Sequence, residues 1–495
     1  MRTEAALLTP NEMGEADRLT IASGIAGMAL MEAAGSAVVD SLVAHYPKAR
    51  SIAILAGPGN NGGDAYAAGR LLKERGLTIR LFASQPPSRL SGDAALAAAT
   101  FDGPSEPLAA FDPAGADLIL DGLFGAGLAR PVDGDAARAI DVANAAGVPI
   151  VAIDLPSGIS GLTGMAMGTA IKAALTVTFF RRKPGHLLEP GRTHCGEVVV
   201  ADIGIAGDVL DAIAPQTFIN DPTLWREQLK LPVRSGHKYD RGHAVVLSGG
   251  FTTTGAARLA AMAALRGGAG LVTVFSPAGA IAAHAAHLTA IMLKRCEDEA
   301  ELAARLADDR FNTFVLGPGF GIGGKARDFT AAILAAGRHL VLDADGITSF
   351  AEAPDTLFEA VKASAGAAVL TPHAGEFKRL FPDIAAGEET SKLEKARAAA
   401  QRSGAVVILK GSDTVIAAPD GRAAINATGT PWLASAGTGD VLAGIVAAQL
   451  AQGTQAFEAA SAAVWMHGRA AELFGPGLIS EDLPAMLPKV LAELV

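Results

Sequence analysis

With 495 residues, half of them apolar, 57 glycines and only 5% aromatics, the chain exceeds one ordinary core and has the profile of a two-domain α/β protein with many strand-to-helix turns. A formal charge of −10 argues against nucleic acid or an anionic membrane surface as the main partner. Two cysteines, Cys195 and Cys296, without Cys-x-x-Cys spacing argue against a disulfide framework or a thiolate zinc site.

The first ten residues lack the apolar core of a signal peptide, and later apolar stretches are broken by Asp440, Glu458 and His467. No membrane span and a cytoplasmic location are therefore the expectation. Residues 17–45 read as one helix with a core-facing stripe. A buried strand follows at 51–56 and runs into Gly57-Pro-Gly-Asn-Asn-Gly-Gly-Asp64, then a helix and a strand at 77–82. Gly57, Gly59 and Gly62 have the dinucleotide-fingerprint spacing. However, Asp64 would oppose a pyrophosphate, and Ala83-Ser84-Gln85 offers no acidic residue to a ribose. A plain NAD site is rejected, and Asn60, Asn61 and Asp64 are read as oxygen ligands and polar hooks.

Two later strands end in similar loops, at Asp121-Gly-Leu-Phe-Gly-Ala-Gly-Leu-Ala-Arg-Pro131 and Asp154-Leu-Pro-Ser-Gly158. In a doubly wound parallel sheet these loops meet at the carboxyl ends of the strands, where ligands sit. Asn61, Asp121 and Ser157 can then converge with hard oxygen atoms, and Asp154 can face the same crevice. Strands at 175–180 and 197–201 complete the sheet. Arg181-Arg-Lys183 between them reads as a solvated charged face, with Lys183 loosely considered as an amine at the crevice. A linker is placed over 221–233.

A second α/β series begins near His237. A strand at 244–247 enters Ser248-Gly-Gly, with a small-residue helix at 255–266 and a strand at 271–275. His284 and His287 have helical i,i+3 spacing but no third ligand, so an ordinary helix face is preferred to a metal site. Gly319 to Lys325 mimics a Walker loop, yet Ala326 replaces the hydroxyl that would hold Mg²⁺, and the P-loop reading is rejected. Strands at 339–342, 367–370 and from 406 lead into Asp343-Ala-Asp345, Thr371-Pro-His-Ala-Gly-Glu376 and Lys410-Gly-Ser-Asp-Thr414. Gly437-Thr-Gly-Asp440 then opens an alanine-rich helix. Unpaired N–H groups at such a helix start suit a phosphate. Asp440 reads either as a helix cap or as a base that takes a proton from an attacking hydroxyl. Together, Lys410 for phosphate, Glu376 for metal or water, the glycine anion hole and Asp440 form a phosphoryl-transfer set without a P-loop.

These motifs carry a family likeness over nearly the whole chain. Gly57–Asp64, Asp121–Gly127 and Asp154–Gly158 resemble the NAD(P)H-hydrate epimerase family. Gly317-Pro-Gly319, Thr371–Glu376, Lys410–Thr414 and Gly437–Asp440 resemble the ADP/ATP-dependent NAD(P)H-hydrate dehydratases, in the order of the bacterial bifunctional repair proteins. The resemblance implies a Rossmann-like doubly wound epimerase domain at 1–218 and a ribokinase-like α/β dehydratase domain at 219–495. It implies a K⁺ site at Asn61, Asp121 and Ser157. It places the hydrated cofactor on Asn60, Asn61, Gly62, Gly63 and Asp64, on Gly125, Ala126, Gly127, Leu128, Ala129, Arg130 and Pro131, and on Asp154. In the second domain it places the hydrate near Ala256, Gly319, His373 and Asp440. ADP, or ATP, with Mg²⁺ would lie on Lys410, Gly411, Ser412, Asp413, Thr414 and Gly439.

The function so implied is repair of NADHX and NADPHX, whose ring carries an added hydroxyl at C6. R and S forms would be interconverted with Asp154 handling the proton, by base catalysis or assisted ring opening. The S form would then be phosphorylated with Asp440 as base, and phosphate loss would restore the cofactor, ADP giving AMP and phosphate. Two rivals stay open: a vitamin or sugar kinase for the second half, and a non-catalytic binding module for the first. An apolar, alanine-rich chain of this size often self-associates, so a homo-oligomer also stays open.

Overall fold

The computed structural model describes residues 4–231, 236–387 and 390–495, which divide into two compact units. One comprises Ala6–Thr217; the other comprises Phe218–Val495 together with Ala5. The end of the stretch read as a linker, 232–233, lies outside the described residues. Its earlier part is packed structure: Asp221 caps the helix Pro222–Trp225 through the Thr223 N–H, and Leu224 and Trp225 are buried in the second core.

The first unit is built on β1 (Ser51–Ala56), β2 (Thr78–Ala83), β3 (Ser105–Pro107), β4 (Leu118–Gly122), β5 (Ile150–Ile153), β6 (Leu175–Phe179) and β7 (Glu197–Ala201). Their order is β3-β2-β1-β4-β5-β6-β7, parallel throughout. Alternation within single strands sorts the core into two layers. Ile52, Ile54, Leu118, Leu120, Val151 and Val177 share a cluster with the helices Pro10–Ala22, Gly27–His45 and Asn60–Glu74. Ala53, Leu55, Ile119, Ile150 and Ala152 share another with the helix Gly134–Ala145. Both faces are covered, as a parallel sheet requires. This is the expected Rossmann-like sheet with the short edge strand β3 added.

The single helix expected over 17–45 is two. The first starts at Pro10, where Thr9 and Glu12 cap each other reciprocally. It ends at Ala22, and Gly24 follows at φ +108, a conformation that continues no helix. Gly27–His45 is, among the described residues, the helix long and apolar enough to cross a membrane by length and composition. Here Leu30, Met31, Ala34, Val38, Val39 and Leu42 are buried in the core of the unit.

The second unit contains β8 (Thr217–Asn220), β9 (His243–Leu247), β10 (Leu271–Ser276), β11 (Met292–Arg295), β12 (Thr313–Leu316), β13 (His339–Leu342), β14 (Ala368–Leu370), β15 (Val406–Leu409), β16 (Val415–Ala417) and β17 (Ala423–Asn426). The order is β11-β10-β9-β12-β13-β14-β15-β16-β17-β8. Pairing from β11 to β15 is parallel, and β15-β16-β17 is an antiparallel meander. Val246, Val315, Val341, Val369 and Ile408 share one cluster with the helices Thr254–Arg266, Thr438–Ala451 and Ala456–Phe474. Helix Thr438–Ala451 is buried almost all round, which fixes the position of its first turn.

That helix packs against Thr254–Arg266 through Gly444, where an added Cβ would lie 2.1 Å from the Ala260 carbonyl oxygen. Gly444→Ala must therefore force two buried helices apart, at a cost of about 1–3 kcal/mol. Thermal unfolding is expected to show the transition of the second unit lowered, with that of the first unit unmoved.

Candidate functional sites

In the first unit, a cleft of about 790 Å³ opens at the carboxyl ends of the strands. Asn60, Asn61, Asp64, Gly125, Ala126, Gly127, Leu128, Ala129, Arg130 and Asp154 line it together. Gly62 and Gly63 are buried in the helix behind it, and Pro131 is exposed outside the lining. Asp154 follows β5 directly and takes φ +62, a left-handed conformation uncommon outside glycine. Its carboxylate is held on both oxygens. Oδ1 accepts from Lys183 Nζ at 2.6 Å and from Thr178 Oγ1 at 2.9 Å, while Oδ2 accepts from the Ala126 N–H at 2.9 Å. Lys183 Nζ also donates to Thr178 Oγ1 at 2.9 Å.

Lys183 is therefore no part of a solvated face. It is 1% exposed, and its ammonium is paired inside the cleft. The looser reading of Lys183 as an amine at the crevice is the one the structure bears out; the charge run hid it because the partner lies 29 residues away, just after another strand. His186 was missed as well: its Nε2–H donates to the Asp154 carbonyl oxygen at 2.8 Å and its Nδ1 accepts from the Lys183 N–H at 2.9 Å. That pattern fixes a neutral ring. Burial and the nearby Lys183 charge push its pKa down to about 4. Burial alone would raise Asp154, but the charge and hydrogen bond of Lys183 outweigh it and hold the carboxyl at about 2. Asp64 moves the opposite way, well above the usual carboxylate range, through burial and then the charges of Asp154 and Asp17.

Asp121 and Ser157 come together beneath the cleft. Ser157 Oγ donates to Asp121 Oδ1 at 2.6 Å, its N–H donates to Oδ2 at 2.8 Å, and its Oγ accepts from the Phe124 N–H at 2.8 Å. Burial raises the Asp121 carboxyl to about 6, against the lowering effect of these bonds. The Asn61 amide nitrogen is buried without a hydrogen-bond partner, and Asn61 Oδ1 borders Gly125 together with Asp154.

In the second unit the helix Thr438–Ala451 begins from Gly437 at φ +88, a conformation that suits glycine. Asp440 lies in its first turn, and Lys410 Nζ bonds Asp343 Oδ1 at 2.8 Å rather than Asp440. A Cβ on Gly439 would sit 3.3 Å from Lys410 Nζ, so glycine leaves the space between amine and helix start open. Burial pushes the Asp440 pKa up to about 6; Asp343 adds to the rise and Lys410 opposes it. His467 supports the turn by donating from Nε2 to the Thr438 carbonyl oxygen at 2.9 Å.

The remaining expected residues form two groups. Gly319 lies against Thr253 and Ala256. The Lys410 N–H donates to the Pro372 carbonyl oxygen at 2.9 Å, which puts Lys410 beside His373. Gly411 and Thr414 close a turn on each other with Ser412 exposed on it, whereas Asp413 is buried and takes Lys392 Nζ at 2.5 Å. The Asp413 side chain is thus committed to Lys392. Glu376, expected for metal or water, is instead a helix cap: its Oε2 accepts from the His373 N–H at 2.9 Å, and His373 Nδ1 accepts from the Gly375 N–H at 2.9 Å. Asp343 and Asp345, noted only as a strand-end motif, border the site, with Ala344 between them at φ +48. His284, once weighed as a metal ligand, is buried against Ser248 Oγ at 2.8 Å.

Known proteins share both units. Residues 27–185 match the family model described as YjeF-related protein N-terminus, and 244–492 match that of NAD(P)H-hydrate dehydratase. The bifunctional NAD(P)H-hydrate repair enzyme Nnr of Moorella thermoacetica is 36% identical, over 99% of this chain and 97% of its own. That of Escherichia coli is 34% identical, over 93% and 89%. The crystal structure of ADP/ATP-dependent NAD(P)H-hydrate dehydratase from Bacillus subtilis, co-crystallised with ATP/Mg²⁺, is similar at a TM-score of 0.50 and 27% identity. It covers 56% of this chain and 98% of that one. The chain therefore belongs to the family of bifunctional NAD(P)H-hydrate repair enzymes.

Proposed function

We infer that the chain restores hydrated nicotinamide cofactors, interconverting R and S NAD(P)HX in the first unit and dehydrating S-NAD(P)HX in the second at the expense of ADP or ATP. With ADP the products are NAD(P)H, AMP and phosphate. The observation that carries the second half is Asp440: a half-buried carboxylate in the first turn of a glycine-started helix, beside an amine already engaged by Asp343. Helix N–H groups and Lys410 stabilise the transferred phosphoryl group, and Asp440 accepts the proton of the C6 hydroxyl. Asp343, Asp345 and Asp440 set three carboxylates against one Lys410, so a polyphosphate enters such a site best with its own cation, Mg²⁺. The hydrate lies over Ala256, Gly319 and His373, and the nucleotide on Lys410–Thr414 and Gly439.

The cleft of the first unit takes the hydrate against Asn60–Asp64, Gly125–Pro131 and Asp154. Asp121, Ser157 and Asn61 fit a K⁺ ion: a buried carboxylate, a hydroxyl and the Asn61 amide oxygen supply hard oxygens, and Asp121 has no basic partner among the described residues. Bound there, K⁺ would neutralise Asp121 and tie β4 to the first turn of helix Asn60–Glu74, which carries Asn61, and to the loop that carries Ser157. Domains bounded at 1–218 and 219–495 hold the two activities, in the cytoplasm.

Two outcomes test this reading. Asp440→Asn should lower ADP-dependent recovery of dihydronicotinamide absorbance from the S hydrate by about 10²- to 10⁴-fold. In the unsubstituted chain that activity should fall as pH drops through about 6, because Asp440 must be ionised to act and burial sets its pKa there. Full activity in Asp440→Asn, or a stable phosphorylated product, would return the second unit to the kinases. Separately, replacing tetramethylammonium by K⁺ should raise the melting midpoint of the first unit by a few degrees, roughly 2–4 °C per kcal/mol of binding. Asp121→Asn should lose that rise.

A further inference from the structure

Of the four aspartates that line the cleft of the first unit, three gather with one ammonium: Asp17 from helix Pro10–Ala22, Asp64 from helix Asn60–Glu74, Asp154 after β5 and Lys183 after β6. Asp93 and the exposed Arg130 also line it, His186 packs on the Asp154 backbone, and buried Cys195 lies near enough to feel the Asp154 charge. A lysine that is 1% exposed needs a counter-charge, and Lys183 has committed its amine to Asp154 Oδ1 and Thr178 Oγ1. Asp17 and Asp64 have no ion-pair partner among the described residues. Further negative charges in one partly buried cleft are opposed by the first, so the site retains a proton on the carboxyls that lack a cation.

We propose that this cleft is a divided proton carrier: Asp154, held ionised by the positioning residue Lys183, takes a proton from the substrate, and a proton kept on the Asp17–Asp64 side is delivered to it. The proposal rests on the epimerase reading of this unit. The direction of each titration agrees with the division. Asp64 is pushed well up by burial and by its two acidic neighbours, and Asp17 is raised to about 6 by burial. Asp154 stays at about 2 because Lys183 outweighs its burial.

Two groups in opposite protonation states match ring opening of a C6-hydroxylated, N1-linked ring. The hydroxyl proton passes to Asp154, and the O–H electron pair forms the C6 carbonyl. The C6–N1 bond breaks with its pair on N1, which takes the proton from the Asp17–Asp64 side. N1 then attacks the other face of the carbonyl, each proton returns to its origin, and the inverted centre is left with nothing consumed.

The test follows exchange between separated R and S hydrates without nucleotide, so that the second unit stays silent, across pH 4 to 9. Lys183→Met should lower kcat by on the order of 100-fold with KM within about threefold. It should also bring an acid limb up into the measured range, because Asp154 without its cation loses its charge at higher pH. Lys183→Arg should recover part of the rate and push that limb back down. Asp17→Asn and Asp64→Asn should each lower kcat and alter the alkaline limb, which reports loss of the retained proton. Wild-type kcat in Lys183→Met, or a lowered kcat with an unshifted profile, would overturn the proposal. Should Lys183→Met fail to fold by circular dichroism, an alkaline limb unchanged in both aspartate variants would overturn it instead. No exchange above the spontaneous rate in the unsubstituted chain would overturn the epimerase reading itself, while ADP-dependent activity on the S hydrate would show the chain intact.

Discussion

A parallel sheet covered by helices on both faces leaves few places for a polar side chain, and both units obey that constraint. Strand interiors such as Ile52–Leu55 and Val245–Leu247 are buried on alternate faces, so charge is expelled to the strand ends. There the chain must turn from strand to helix, and the turn exposes backbone N–H groups and whatever carboxylates follow the strand. Asp154 and Asp343 each follow a strand directly, Asp121 is the last residue but one of β4, and Asp440 sits at a helix start within the same kind of unit. The chemistry lies where the fold has no apolar alternative.

The exits differ in how their carboxylates are compensated, and that difference separates their roles. Asp154 owns a buried ammonium and stays ionised. Asp440 shares one that bonds Asp343, so burial is only partly offset and its proton is held near pH 6. Asp121 has hydrogen bonds and no basic partner among the described residues, so its burial is offset by neutral donors alone. One residue type thus serves three electrostatic purposes through its neighbours alone.

Much of this was legible because it is local. Gly57–Asp64 and Gly437–Asp440 are contiguous, and the glycine spacing, the preceding strand and the following helix can all be read in one window. The two-layer sheet of the first unit followed from strands at 51–56 and 175–180 with helices between them. What escaped is what depends on distant partners. Lys183 reads in sequence mainly as the end of a surface run, with a place at the crevice only a looser alternative, because nothing within a window places Asp154 on it. Glu376 looked available for a metal because its cap on the His373 N–H shows only in the folded turn. The strands β8, β11, β16 and β17 are short or at sheet margins, where the hydrophobic period is weak. Helix 17–45 was read through Gly24 because the residues on both sides keep an apolar stripe.

A net charge of −10 might suggest poor affinity for anionic dinucleotides, yet charge acts here over a few ångströms. In water at ordinary ionic strength, exposed charges are screened beyond about 8–10 Å. Within the sites the balance is set by Lys183 at 2.6 Å from Asp154, Lys410 at 2.8 Å from Asp343, and the unpaired N–H groups after Gly437. Each amine is already satisfied by a carboxylate in the free protein, so neither is an unopposed attractor. Lys410 carries three N–H donors and can meet a phosphate while it holds Asp343, yet one ammonium then faces that carboxylate, Asp345 and Asp440 together. In the proposed reaction a cation entering with the nucleotide would compensate these carboxylates and so lower the proton affinity of Asp440. On that reading the acidic surroundings of Lys410 would couple the ionisation of Asp440 to the arrival of the phosphate, which a neutral pocket around the same lysine would not do.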